Sequence, residues 1–237
     1  MPFPQTGVSQ SNCALNNMKI AKLSFYGNPN IGLYAYATDR YCLVGRGVAD
    51  RFISDIEKHL RVPVHRVNIA GTSLIGALVA GNSRCLLLPK IVFDDEIKEL
   101  EAFGITCRVL NTDLTALGNN IVCNDRGAII SAEYSDDEKK AIEEALGVPA
   151  AKMKIGGVDV VGSSVAANQR AGLIHIGASG EEKREVEKML GISLERTTVN
   201  FGNPYVSSGL ILNSKGLIMG EPTTTIEVMQ IQDAFTE

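Results

Sequence analysis

Cysteine and histidine are the residues of this chain best suited to nucleophilic or metal chemistry, and their spacing argues against both. The five cysteines stand at positions 13, 42, 85, 107 and 123. Their number is odd, no two form a CxxC pair, and His59, His65 and His175 show no ligand spacing. A disulfide framework or a zinc site needs paired or clustered ligands, so neither is expected, and no cofactor is assigned. Cys42, Cys85 and Cys123 fall near turns, where a small buried thiol is the plain explanation. The string from Gly156 to Gly162 invites comparison with a phosphate loop. It lacks GxGxxG and GxxxxGK[ST] spacing and leads into a hairpin.

What positions these residues is a repeat. Asn82-Ser83-Arg84, Asn124-Asp125-Arg126, Asn168-Gln169-Arg170 and Asn213-Ser214-Lys215 are four small polar turns carrying a basic residue, and Thr38-Asp39-Arg40 is a weaker fifth. The basic residues follow one another at steps of 44, 42, 44 and 45. Before each turn comes a short strand-like segment opened by small residues, such as Leu117 to Val122, and after it an apolar run, such as Ala128-Ile129-Ile130. Asparagine and glycine supply the backbone angles of a tight hairpin. A helix follows: Ser135 with Glu138, Ser179 with Glu182 and Thr224 with Glu227 have capping-box spacing. Ile142 and Leu146, then Val186, Met189 and Leu190, mark helix faces, and Gly147 and Gly191 are the stops. A third strand closes each unit, predicted at 64–69, 105–110, 151–155 and 194–201.

The unit is therefore β-β-α-β. Its glycine-punctuated strands exclude an all-helical solenoid, and its capped helix excludes a WD40 propeller. The fifth unit has a hairpin and a helix but no third strand before Glu237. Leu23 to Pro29 aligns with Thr198 to Pro204, so the segment from about Lys19 to Phe25 is expected to complete the last unit and close the five into a ring. Closure removes the sheet edges that a linear stack exposes.

Composition fits an α/β globular protein: 237 residues, 45% hydrophobic and 21% charged. No apolar run reaches the length of a membrane span. Residues 1–17 have neither a basic start nor an apolar stretch, so they read as a disordered extension before one domain over 18–237. Cysteine usage points to the reducing cytoplasm. A net charge of −4 is unlike a protein that holds RNA mainly through phosphates.

Longer strings carry a resemblance. Asn68 to Gly76, Ala116 to Asn119 with Cys123-Asn124-Asp125, Thr198-Val199-Asn200 with Gly202, Val161-Gly162-Ser163 and Ser207-Ser208-Gly209 are similar to the archaeal branch of the translation initiation factor 6 family. The resemblance runs from about Met18 to Glu237, without the C-terminal tail of eukaryotic members, while residues before Met18 depart from it. It implies a pentein fold: five β-β-α-β units about a pseudo-fivefold axis. It also implies a monomer that binds the large (50S) ribosomal subunit at its intersubunit face and blocks the small subunit, acting in initiation and in subunit biogenesis. The main contact would be a large-subunit ribosomal protein, with rRNA nearby and no membrane or small-molecule substrate. Positions resembling Ala77, Gly118 and Asn119 carry ribosome contacts in relatives. Arginine stands at the Ala77 position in eukaryotic relatives, which leaves this contact weaker here.

Equivalent positions of a ring share a rim. Gly118-Asn119, Gly162-Ser163 and Gly202-Asn203 open first strands, where small residues admit a partner close to the backbone. These make Gly118, Asn119, Ala77, Gly162, Ser163 and Asn203 the candidate ribosome-binding residues. Arg40, Arg84, Arg126, Arg170 and Lys215 form a second candidate, an RNA-facing rim, though ordinary polar turns favour the same residues. Pentein folds also host guanidine-modifying enzymes that use a late cysteine nucleophile. The last cysteine here is Cys123, in the third unit, so no catalytic residue is assigned. A ligand carrier using the central cavity has no cofactor motif behind it.

Overall fold

The computed structural model describes residues 19–236. The extension expected over residues 1–17, Met18 and Cys13 lie outside them. Strand β1 (Lys19–Leu23) comes first. Four units follow: β2 (Ala35–Ala37), β3 (Cys42–Gly45), α1 (Asp50–Leu60) and β4 (Val64–Val67); β5 (Ala80–Gly81), β6 (Leu86–Pro89), α2 (Asp94–Ala102) and β7 (Cys107–Leu110); β8 (Ile121–Cys123), β9 (Ala128–Ser131), α3 (Asp136–Leu146) and β10 (Ala150–Met153); β11 (Val165–Ala167), β12 (Ala171–His175), α4 (Gly180–Leu190) and β13 (Ser193–Thr197). The fifth has β14 (Leu210–Leu212), β15 (Gly216–Gly220) and α5 (Thr225–Thr236). In every sheet the first two strands are antiparallel and the third is parallel to the second. The fifth sheet takes β1 as its third strand, in parallel register from Lys19↔Gly216 to Leu23↔Gly220. This is the pentein arrangement of five ββαβ units.

The predicted helices start and stop as their caps require. Ser135 Oγ accepts from Glu138 N at 3.2 Å, and the Glu138 carboxylate accepts from Ser135 N at 2.7 Å. Gly147 and Gly191 adopt left-handed φ of 65° and 63° at the helix ends. Third strands are shorter than predicted: β4, β10 and β13 end early because the chain leaves the sheet in a tight turn, and β7 starts two residues late. In the first, second and fourth of the turns that follow third strands, two successive residues have positive φ: Tyr26-Gly27, Ala70-Gly71 and Gly156-Gly157. The fifth, Asn200-Phe201-Gly202, has three, and the Val199↔Asn203 bridge spans one residue more than Phe25↔Asn28. The two segments therefore align with Asn200 as an inserted residue.

One element departs from the sequence reading. Leu117–Asn120 is a single helical turn before β8, not the start of a strand. Its equivalents are Ile31–Leu33, Ile75–Leu78, Val161–Ser164 and Val206–Gly209. Tertiary crowding explains the coil. A Cβ added to Gly76 would stand 1.8 Å from the Gly32 carbonyl oxygen, one on Gly118 1.9 Å from that of Gly76, and one on Gly162 2.3 Å from that of Gly118. One on Gly32 would stand 2.1 Å from the Ser207 carbonyl oxygen, so the fifth turn meets the first. Turning the backbone here lets five units converge on one axis.

Apolar burial follows the same cycle. Each helix buries its face against the sheet of the preceding unit: Leu100 of α2 clusters with Leu43 and Val67, and Ile142 and Leu146 of α3 with Leu87 and Leu110. Val186 and Leu190 of α4 meet Ile129, and Ile231 of α5 meets Leu173. Ile56 and Leu60 of α1 cluster with Ile211 and Ile218 of the fifth sheet. Since a Cβ at position 76 must displace backbone rather than a flexible side chain, Gly76→Ala is expected to cost about 3 kcal/mol or more in urea unfolding. A loss below about 1 kcal/mol would show that the turns can part.

Candidate interaction face

Topology sorts the candidate residues onto two opposite faces. Within a unit the helical turn before the first strand, the helix N-terminus and the tight turn after the third strand share one end of the sheet. The polar hairpin turn and the helix C-terminus share the other. Gly118, Asn119, Gly162, Ser163 and Ala77 thus lie on the first face, in three successive helical turns around the axis. Ser163 Oγ donates to Asn119 Oδ1 at 3.0 Å across the joint between two units. Asn203 lies on this face as well, but in a tight turn. The true equivalents of Gly118 and Asn119 in the fifth unit are Ser207 and Ser208, and Asn203 Nδ2 reaches Ser208 Oγ at 3.1 Å. Asn200 joins the turn after the fourth sheet to the turn after the fifth, donating to the Pro29 carbonyl at 3.0 Å.

On the opposite face the hairpin asparagines do two jobs. Each Oδ1 accepts from amides of its own turn: Asn82 from Arg84 and Cys85 at 3.0 and 3.2 Å, Asn213 from Lys215 and Gly216 at 2.9 and 3.0 Å. Each Nδ2 then reaches the next unit. Asn82 donates to the Asn124 and Leu146 carbonyls at 3.3 and 2.9 Å, Asn124 to Leu190 at 2.7 Å, and Asn168 to Asn213 at 3.1 Å. Asn213 donates to Thr38 and Leu60 at 3.0 Å each, both from the fifth unit to the first. The basic residues follow. Arg84 donates to the Gly147 carbonyl at 2.8 Å, Arg126 to Leu190 at 2.9 Å and Lys215 to Asp39 at 2.9 Å, while Arg40 reaches the Ser83 carbonyl at 3.4 Å. Cations at helix C-termini satisfy carbonyls left unpaired there and complement the helix dipole.

Between the faces lies a cavity of about 160 Å³, bordered by Tyr36, Asp39, Cys123, Asp125 and Asn168 among others. Its polar groups are engaged within the fold. The Tyr36 hydroxyl and the Cys123 thiol both donate to the Gly81 carbonyl, and the Asp39 and Asp125 carboxylates accept from the Ser214 and Ser83 amides at 2.7 and 2.9 Å. Burial pushes the Cys123 and Cys107 thiols up to about 12, and Cys42 and Cys85 also upward. That is the wrong direction for a thiolate nucleophile. His175 is held below its ordinary range by burial, and its Nδ1 accepts from Gly177 N at 2.9 Å. Among the described residues no group of three His, Cys, Asp or Glu side chains could hold a metal, and no helix is long and apolar enough to cross a membrane.

The eIF-6 family model matches residues 20–234, nearly the whole of the patterned chain. The chain belongs to the eIF-6 family. Among similar curated proteins are the translation initiation factors 6 of Saccharolobus solfataricus, 40% identical over 93% of this chain and 100% of that one, and of Pyrococcus furiosus, 42% identical over 92% and 99%. That of Thermococcus gammatolerans is 42% identical over 92% and 98%. Family membership puts the chain among translation initiation factors.

A feature of this family member that the sequence reading caught only in part is the double use of its capping glutamates. Buried Glu227 accepts from Thr224 N at 2.7 Å at the start of α5, and from Gly202 N at 2.9 Å and Thr198 Oγ1 at 2.6 Å in the tight turn beside it. Glu96 does the same for Ala70 N and Gly71 N, at 2.7 and 2.8 Å, and caps Phe93 N at 3.0 Å. It was missed because Phe93 replaces the capping serine or threonine. Burial works against the charge on Glu227, but the bonds from Thr198, Thr224 and Gly202 outweigh it and hold the carboxyl below its usual range. A depressed folded-state pKa stabilises above the ordinary carboxyl pKa and ceases to as pH falls through the folded value. Glu227→Gln should therefore cost about 1–3 kcal/mol at pH 7. Denaturant unfolding against pH should show the gap between variant and wild type closing below about pH 4.

Proposed function

We propose that this chain binds the large ribosomal subunit at its intersubunit face and keeps the small subunit from joining, through bulk and position, with no catalytic step. Membership of the eIF-6 family across residues 20–234 is the observation that carries this reading. The gathering of Gly118, Asn119, Gly162, Ser163, Ala77 and Asn203 on one face supports it. In the helical turns the side chains are small, so a partner can approach the backbone, and Asn119 keeps its Nδ2 for that partner while its Oδ1 takes the Ser163 hydroxyl. A net charge of −4 suits a contact made chiefly with a basic ribosomal protein, with rRNA beside it. The protein works in the cytoplasm, as a monomer. Residues 18–237 act as a single domain, and residues 1–17 are dispensable.

The basic circle of Arg40, Arg84, Arg126, Arg170 and Lys215 takes the other face. Four of the five give donors to carbonyls of the next unit. That supports a role in holding joints ahead of an RNA-facing role. A guanidine-modifying activity is disfavoured by four buried or half-buried cysteines whose thiols are stabilised as neutral.

The test is a sucrose gradient with purified archaeal subunits. The protein is expected to travel with the large subunit and to lower the yield of joined particles. Asn119→Ser and the bulkier Asn119→Arg should weaken binding about fivefold or more, with thermal midpoints near that of the wild type. An unchanged sedimentation profile for both variants would remove Asn119 from the contact.

A further inference from the structure

Large exposed hydrophobic residues are not spread evenly over this molecule. Tyr26, Leu74, Phe93, Ile176, Phe201 and Ile226 all lie on the face of the helical turns and helix N-termini. Two of them stand out by their backbone. Tyr26 and Phe201 have φ of 55° and 65°, a region that bulky residues avoid, and they are 68% and 80% exposed. The turn itself does not demand them. The equivalent turns use Ala70-Gly71 and Gly156-Gly157, which reach the same conformation with little or no side chain. Each aromatic thus adds strain and exposed apolar area with no return in folding, a combination that points to function.

Both turns are held in place. The Glu227 carboxylate accepts from Phe201 N at 3.2 Å and Gly202 N at 2.9 Å, and Asn200 N donates to Thr223 Oγ1 at 3.2 Å. Asn200 Nδ2 then bonds the Pro29 carbonyl in the loop that carries Tyr26, so the two aromatics share one platform across the joint between the fourth and fifth sheets. Rigid aromatic side chains lose little freedom on binding, which is why they serve as anchors. Charge decides the kind of partner. The helix N-termini of this face carry exposed Asp94, Asp95 and Glu181, with Asp50 and Asp137 also exposed but paired to Arg66 and Lys140. Exposed carboxylates repel phosphate and attract lysine and arginine.

We infer that Tyr26 and Phe201 are paired anchors that seat this face on a protein surface with apolar pockets and a basic surround. The inference rests on the ribosome-binding reading and names the part of that site that grips. Tyr26→Gly and Phe201→Gly test it cleanly, since glycine relieves the strain at both positions. The thermal midpoint of the double variant should hold or rise, while its affinity for purified large subunits falls by about tenfold or more. Wild-type affinity in that variant would overturn the inference. If Asn119→Arg still weakened binding, the ribosome-binding reading would stand without it, whereas a wild-type protein that ignores large subunits would end both. A photoreactive benzoylphenylalanine in place of Phe201 should cross-link to a ribosomal protein. Cross-links to rRNA alone would overturn the assignment of partner.

Discussion

No unit of this protein has a hydrophobic core of its own. Each helix lies against the sheet of the unit before it, so every core cluster takes side chains from two neighbours. A helix removed with its unit would strip the preceding sheet of its cover, exposing residues such as Leu87 and Leu110 that are now buried. This makes the unit count a physical matter. Repeat proteins gain stability through nearest-neighbour contacts, and an open array leaves one contact unmade at each end. Here β1 pairs with β15, α1 covers the fifth sheet, and Asn213 bonds to Thr38 and Leu60. The two ends of the chain thereby meet through strand pairing within the fifth sheet, and the first and last units through apolar burial and hydrogen bonds.

The joints explain why the sequence disclosed some elements and hid others. Strands, long helices and caps follow from local rules, and the repeat of the basic marker exposed their period. The helical turns did not follow from local rules. Leu117-Gly118-Asn119-Asn120 has weak helix formers and no cap, and it coils because Gly118 must fit against the Gly76 carbonyl. That constraint lies in another unit, beyond the reach of propensity. A positional signal was nonetheless present. Gly32, Gly76, Gly118, Gly162 and Ser207 each precede the basic marker by eight residues, while Glu96, Glu138, Glu182 and Glu227 each follow it by twelve. Counting from the marker, rather than searching for cap motifs, finds Glu96 despite Phe93 and separates Ser207 from Gly202. It also shows why the first unit differs: Phe52 holds the glutamate position and packs edge-on against Phe25 at 5.2 Å.

The candidate face was legible in composition but not in location. Small residues and asparagines were visible in the sequence as a set, yet only the antiparallel pairing within each hairpin shows that they and the basic circle occupy opposite ends of the sheets. The net charge of −4 conceals this division. Acidic side chains gather at the helix N-termini, where the helix dipole favours them, and basic ones at the hairpin turns, with last-turn cations of their own in α1 and α4. Repeated from unit to unit, this sets a row of carboxylates on one face and the row of hairpin cations on the other.

That polarity bears on how a binding protein of this architecture can be specific. Five similar units offer five similar patches, and an evenly repeated surface would dock in five orientations with equal ease. The units are alike where they hold one another and unlike where they meet solvent. Hairpin asparagines recur in four units, but the residue after the axial position is Leu33, Ala77, Asn119, Ser163 or Ser208. The tight turns carry Tyr26, Ala70, Gly156 or Phe201 at their tips. Strained aromatics occur on both sides of a single joint, and the Asn119–Ser163 bond marks another. A partner reading both joints would seat in one of the five rotations only, so on the proposed reading the break from repeat symmetry on this face would fix orientation, while the repeat behind it fixes shape.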